Sequence, residues 1–229
     1  MIKHIFFDLD RTLWDFEINS HETLLELCHT YNLKDKGISN YEEFIKNYKN
    51  HNEQLWDLYR VNKISQQDLR RERFLRALAD YNVVDPLLAE KIGEDYISIC
   101  PKKNKLFPDT IEVLAYLANK YTMHIITNGF EKVQHIKLKH SNLEKYFDKV
   151  ITSEQVGVKK PNPKIFEFAL EQANASAEES IMIGDDLPVD ILGAEDVGMQ
   201  GVYFNPHKLA HKQDVVHEIF SLNELMALL

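Results

Sequence analysis

Ile2-Lys3-His4-Ile5-Phe6-Phe7-Asp8-Leu9-Asp10-Arg11-Thr12 is the stretch on which the fold turns. Ile2 to Phe7 is short, largely apolar and β-leaning, and it stops at a carboxylate. A run of that length reads as a strand buried on both faces, as in a parallel sheet. Asp8 and Asp10 stand two apart. In extended backbone their side chains point the same way, so two carboxylates meet at the end of one strand.

Downstream, from about Asp15 to Ile99, the texture is helical and charged. Leu24, Leu25, Leu27 and Tyr31 give one apolar stripe. Phe44, Tyr48, Leu55, Leu58 and Tyr59 give a second, and Leu69, Phe74, Leu75 and Leu78 a third, behind Ser65 as N-cap. Pro86 suits the first turn of a fourth helix. After Pro101 the rhythm alternates. Helices are expected at Thr110–Lys120 (capped by Asp109), Phe130–Lys139, Lys164–Ala173, Val189–Val197 and Leu222–Leu228. Strands are expected at Tyr121–Thr127, Val150–Thr152, Ser180–Gly184 and Gly201–Phe204. Such alternation means crossover units and a parallel sheet. The fold class is therefore α/β: a Rossmann-like core, its parallel sheet sandwiched by helices, with an all-helical insertion after the first strand. The expected boundaries are 1–14 and 101–229 for the core and 15–100 for the insertion.

Composition limits the partners. A formal net charge of −9 argues against a nucleic-acid polymer, whose binding needs basic surface. A small anion is still compatible, since one metal ion, one lysine and a helix N-terminus suffice for a phosphate. No apolar run has transmembrane length, so no membrane is expected. Charges close to the first residue argue against a secretory leader, so a cytoplasmic location is expected. Cys28 and Cys100 lack metal-type spacing and read as free buried thiols. The scattered histidines lack it too. Nothing in the sequence specifies an oligomeric state.

In open parallel sheets, ligands gather at the carboxyl ends of the strands. Four polar clusters each follow an expected strand: Asp8-Leu9-Asp10-Arg11-Thr12, Thr127-Asn128-Gly129, Gly157-Val158-Lys159-Lys160-Pro161, and Gly184-Asp185-Asp186 with Asp190. They should converge on one corner. Asp8, Asp10 and Asp185 crowded together repel unless a cation intervenes, and an all-oxygen set suits Mg²⁺. Thr127 and the backbone around Asn128 and Gly129 would face phosphate oxygens. Lys160 would add positive charge, with Lys159 pointing away into solvent.

In that order and spacing, Asp8-x-Asp10-x-Thr12, Thr127, Lys160 before a proline, and Gly184-Asp185-Asp186-x-x-x-Asp190 resemble the four-motif signature of the haloacid dehalogenase superfamily. The helical block resembles its C1 cap. The resemblance covers essentially the whole chain. It implies a phosphatase in which Asp8 is the nucleophile and Asp10 the general acid/base. Asp8, the Asp10 carbonyl and Asp185 would hold Mg²⁺. Thr127, Asn128, Gly129 and Lys160 would bind phosphate, with Thr12, Asp186 and Asp190 supporting them. Asp10 favours phosphate over halide chemistry, because the dehalogenases lack that second aspartate. From its point of insertion, the helical block is expected to open and close over the site. Arg11 stands at a variable position and is assigned no role.

A narrower resemblance links Asn52-Glu53-Gln54-Leu55-Trp56 with Tyr59, Ile126-Thr127-Asn128-Gly129-Phe130, and Gly157-Val158-Lys159-Lys160-Pro161 with Pro163-Lys164-Ile165-Phe166 to pyrimidine 5′-nucleotidases. It implies a nucleoside monophosphate substrate. Trp14 or Trp56 would then stack on the base, although either ring serves equally as core. The rival substrates are phosphoglycolate or a sugar phosphate. Rivals of another class are a receiver-like phospho-aspartate signalling domain and a non-catalytic binding protein. The first is opposed by Asp10 and the insertion, the second by the full set of catalytic positions.

Overall fold

The opening apolar run forms strand β1 (His4–Phe7) in the computed structural model, which describes residues 1–229. Ile5, Phe6 and Phe7 are completely buried. Neighbouring strand residues point to opposite faces, so burial of all three means that both faces of the sheet are covered.

The chain divides into two units, Met1–Phe16 with Asn104–Leu229, and Glu17–Lys103. In the first, β1 is followed by helix α1 (Phe16–Thr30), which carries the chain into the second. That unit continues with α2 (Tyr41–Arg60), α3 (Gln66–Ala79) and α4 (Pro86–Ile99) and contains no strand. Its core joins Tyr48 to Phe74 (ring centroids 4.7 Å apart) and Phe74 to Tyr96 (5.7 Å). The buried Tyr96 hydroxyl is satisfied by donating to Ser20 Oγ at 2.9 Å. Pro86 does open α4, and its cap is Asp85. Ser65 caps α3 reciprocally. Its Oγ accepts the Asp68 N–H at 3.1 Å, and its own N–H donates to the Asp68 carboxylate at 3.1 Å.

Back in the first unit come α5 (Thr110–Leu117), β2 (Thr122–Thr127), α6 (Glu131–His140), β3 (Lys149–Thr152), α7 (Ser153–Val156), α8 (Pro163–Ala173), β4 (Ser180–Gly184), α9 (Leu192–Glu195), β5 (Gln200–Phe204), β6 (Glu218–Ile219) and α10 (Leu225–Leu228). The six strands form one sheet in the order β3-β2-β1-β4-β5-β6, every pairing parallel. The chain builds outward from β1 through β2 to β3, then crosses to β1's other side. That reversal is where open α/β sheets bind ligands. On one face Phe6, Ile126 and Met182 pack against Ile165, Phe166 and Ala169 of α8. His124 stacks on Phe6 at 4.7 Å and is fully buried. Burial, with His4 beside it, pushes its pKa down to about 4, so it is a neutral structural imidazole.

Several expected elements differ. The helix expected over 189–197 is a π-helical turn, Leu187–Ile191, running into the short α9. Such turns re-aim side chains at functional sites, and here the turn carries Asp190. Asp109 adopts a left-handed conformation (φ 64°) and makes no side-chain cap; the Thr110 hydroxyl donates to the Phe107 carbonyl at 2.7 Å instead. The expected last helix begins as a 3₁₀ turn, Leu222–Glu224. The short elements β6 and α7 carry too few residues for a periodic signal. No helix is long and apolar enough to cross a membrane.

Replacing Ser65 with alanine removes one side of the reciprocal cap. The expected loss is about 1 kcal/mol of stability, read as a lowered midpoint in urea denaturation. An unchanged midpoint would remove the cap from the energetics of α3.

Candidate active site

Register brings the site together. Phe7 pairs with Ile125 on one side and Ile183 on the other, so the next residues along, Asp8, Ile126 and Gly184, lie level at the carboxyl ends. Asp8 donates its backbone N–H to the Ile183 carbonyl at 2.9 Å. Just past it the chain turns sharply at Arg11, which takes a left-handed conformation (φ 66°).

Lys160 arrives from the loop between α7 and α8. Its ammonium is 2 % exposed and lies 2.7 Å from Asp8 Oδ1, 2.6 Å from Asp190 Oδ1 and 2.8 Å from the Ile126 carbonyl. A lysine has three hydrogens to donate, and these three acceptors account for all of them. Here Lys160 meets these three acceptors, and its expected contact with substrate phosphate stays a proposal. In this arrangement its hydrogens hold Asp8 and Asp190, and only its charge reaches beyond them.

The Asn128 side chain is committed as well. Its Oδ1 accepts the Lys160 N–H at 2.7 Å, and its Nδ2 donates to the Lys160 carbonyl at 3.0 Å. The Asn128 side chain thus anchors the lysine's backbone. Gly129 donates its N–H to Thr127 Oγ1 at 3.0 Å, and Gln134 Nε2 donates to the same oxygen at 3.1 Å. With two hydrogens accepted, the Thr127 hydroxyl directs its own hydrogen outward. The roles expected of Thr127 and Gly129 toward phosphate stay proposals.

Thr12 donates to Asp185 Oδ1 at 3.1 Å. Asp186 both caps the turn, accepting the Val189 N–H at 3.2 Å, and donates its own N–H to Asp190 Oδ2 at 3.2 Å. Two glycines make room for this packing. A Cβ at Gly184 would fall 2.2 Å from Asp190 Oδ2, and one at Gly129 would fall 1.5 Å from Gln134 Nε2. Lys159 is half-buried rather than freely solvated, and burial lowers its pKa.

Asp10 has partners that the sequence did not announce. Lys137 Nζ lies 2.5 Å from its Oδ1, and Gln134 Nε2 donates to its Oδ2 at 2.8 Å. Both come from α6, three residues apart and so on one helix face. Gln134, Lys137 and Leu138 are the buried residues of α6. Trp14 is fully buried, with the Lys137 ammonium 4.4 Å from its ring centroid, which removes it as a base-stacking surface. Trp56, in the helical unit, is half-buried and packs edge-on to Tyr59 at 5.5 Å.

Carboxylate oxygens of Asp8, Asp185 and Asp190 lie within 4.8 Å of one another. Burial raises the Asp8 carboxyl to about 7; Lys160 opposes the rise, and Asp190 and Asp10 add to it. Asp185 is raised well above the ordinary carboxylate range by burial and then by Asp8 and Asp190. Burial acts to depress Lys160, but Asp190 and Asp8 outweigh it and its pKa stands above that of a free lysine. One ammonium among three crowded carboxylates leaves net negative charge in a buried corner. Asp190 has both oxygens engaged, so Asp8 and Asp185 are the carboxylates that fit a hard cation.

A parallel α/β sheet with an acidic corner at the carboxyl ends of its strands is the class of site that the geometry defines. Residues 2–198 match the model of the haloacid dehalogenase-like hydrolases, and the chain belongs to that family. Along its length it is 32% identical to the pyrimidine 5′-nucleotidase YjjG of Escherichia coli, with 98% of this chain and 96% of that protein covered. It is 30% identical to the pyrimidine 5′-nucleotidase PynA of Streptococcus pneumoniae, covering 98% and 93%. Among solved structures, the magnesium-bound putative hydrolase YfnB of Bacillus subtilis superposes with a TM-score of 0.88 at 25% identity, covering 99% of this chain and 98% of that one.

Replacing Lys160 with methionine strands Asp8 and Asp190 without their cation. Breaking a buried pair in this way costs about 3–5 kcal/mol, so a large drop in urea midpoint is expected in metal-free buffer. A variant as stable as the parent would show that the lysine's charge is not what holds the corner.

Proposed function

We propose that the chain is a Mg²⁺-dependent phosphomonoester hydrolase acting through an aspartyl-phosphate, with pyrimidine nucleoside 5′-monophosphates as substrates. The observation that carries the chemistry is the division of labour between the two aspartates. Asp8 has one oxygen pinned by Lys160 at 2.7 Å inside the acidic corner, while Asp10 is held separately by α6.

In the first step a carboxylate oxygen of Asp8 bonds to phosphorus as the ester P–O bond breaks. The electron pair leaves with the ester oxygen, which takes a proton from Asp10. In the second, water attacks phosphorus and gives its proton to Asp10. The bond from phosphorus to Asp8 breaks, and orthophosphate and the free carboxylate are released. Lys160 holds Asp8 in place through both steps, and the Thr127 hydroxyl donates to a phosphoryl oxygen. Asp8, Asp185 and the Asp10 backbone carbonyl would hold Mg²⁺, a reading supported by the close approach of buried carboxylates there. Bound there, the ion would offset charge on the phosphoryl oxygens.

The substrate class rests on relatives that match nearly the whole chain, helical unit included, and are named as pyrimidine 5′-nucleotidases. Purified protein should release phosphate from dUMP, UMP and dTMP, lose that activity in EDTA and regain it with Mg²⁺. Turnover of a sugar phosphate with none of these nucleotides would overturn the substrate class; full activity in EDTA would overturn the metal.

Asp8→Asn should abolish turnover, because an amide is a poor nucleophile. Asp10→Asn should slow it by about 10²–10⁴-fold, the usual contribution of a positioned acid/base. Near-parental rates in either variant would refute the role assigned to that residue.

A further inference from the structure

Lys137 has no part in the reaction as set out above, yet it is 5 % exposed and its charge is fully enclosed. Its ammonium stands over the faces of Trp14 (4.4 Å) and Phe16 (5.8 Å), and its anionic partner is Asp10 at 2.5 Å. Gln134 is 1 % exposed, and its amide nitrogen bridges Asp10 Oδ2 and Thr127 Oγ1. Its own carbonyl oxygen is buried with no partner. The donor end of this amide is therefore satisfied at the expense of its acceptor end, a costly arrangement for a purely structural glutamine.

We propose that Lys137 and Gln134 are positioning residues that clamp the Asp10 carboxylate, one donor to each oxygen, and aim it at the ester oxygen of the bound substrate. This rests on the reading of Asp10 as general acid/base. Two features support it. A carboxylate has about four lone-pair sites, so a clamp using one site on each oxygen leaves others for the proton Asp10 gives to the ester oxygen and the one it takes from the attacking water. And α6 is the element after β2, whose last residue is Thr127, and its Gln134 holds both the acid/base and the hydroxyl that donates to phosphate. A helix three residues apart on one face is a stiffer mount than two loops.

The test separates aim from fold by the leaving group. Departure of 4-nitrophenolate needs little protonation, whereas an alkoxide needs it strongly. The quantity to compare is kcat/KM, which runs only as far as leaving-group departure. In Lys137→Met, which keeps the packing of the stem, kcat/KM for a nucleoside monophosphate should fall about 10²-fold, part of what an acid/base contributes, and that for 4-nitrophenyl phosphate by less than about tenfold. Lys137→Arg, which keeps a cation, should recover most of the loss. Gln134→Met removes only the second donor and should show the same bias at smaller size, which decides the matter if Lys137→Met does not fold. Equal losses on both esters, or no loss, in folded variants would overturn the clamp while leaving the phosphatase reading intact. A parent protein that hydrolyses neither ester would overturn that reading, and the clamp with it.

Discussion

A buried ammonium held between two carboxylates is the contact on which this molecule turns. Lys160 joins Asp8, at the end of the central strand, to Asp190, in the turn after the neighbouring strand, and to the carbonyl of Ile126 at the end of the strand on the other side. Three parallel strands are tied at one point by a single charge. The contact is favourable only while every hydrogen of the ammonium has an acceptor, because a buried charge left without one is very costly. Much of the surrounding architecture keeps it that way. Asn128 fixes the lysine's backbone from both sides, Asp186 steadies Asp190, and Gly184 lacks the side chain that would push Asp190 away.

The same corner is electrostatically unfinished. Its carboxylates outnumber its cations, and the groups least committed to neighbours, Asp8 and Asp185, have pKa values raised by burial. A folded protein tolerates such a corner when the missing positive charge arrives with a ligand, and the energy held in the repulsion then favours binding. Asp10 adds to the rise at Asp8, but its own partners are a lysine and an amide on a different element.

How much of this the amino-acid order discloses depends on the length scale of each signal. The parallel sheet was legible because its central strand is a short, largely apolar run, and Asp8, Thr127, Lys160 and Asp185 were legible because each belongs to a polar cluster at or beyond the end of a strand. The α3 cap was legible in Ser65 because a capping box is a local device. The partners of Asp10 were missed because Lys137 looks like any lysine on a charged helix. Only the tertiary packing of α6 shows that it faces inward, over Trp14. The same reason explains Asn128: its identity suggests a phosphate ligand, while its geometry serves the lysine. The π turn at Leu187–Ile191 escaped because local propensity does not separate it from the start of an α-helix; what sets it apart is the position it gives Asp190.

The place where the helical unit departs has its own significance. Leu13 accepts the N–H of Phe107, Asp15 donates to the carbonyl of Lys105, and Trp14 bridges antiparallel to Leu106. The outgoing and returning chains are thus stitched side by side before the excursion begins. Seen from the sheet, the whole of Glu17–Lys103 is attached as a hairpin turn would be, whatever its length. Because closure entropy grows only slowly with loop size and the stem is already fastened, evolution can lengthen, shorten or replace what hangs beyond it without loosening the acidic corner. One small zipper thus lets the length of the insertion and the integrity of the acidic corner be set independently.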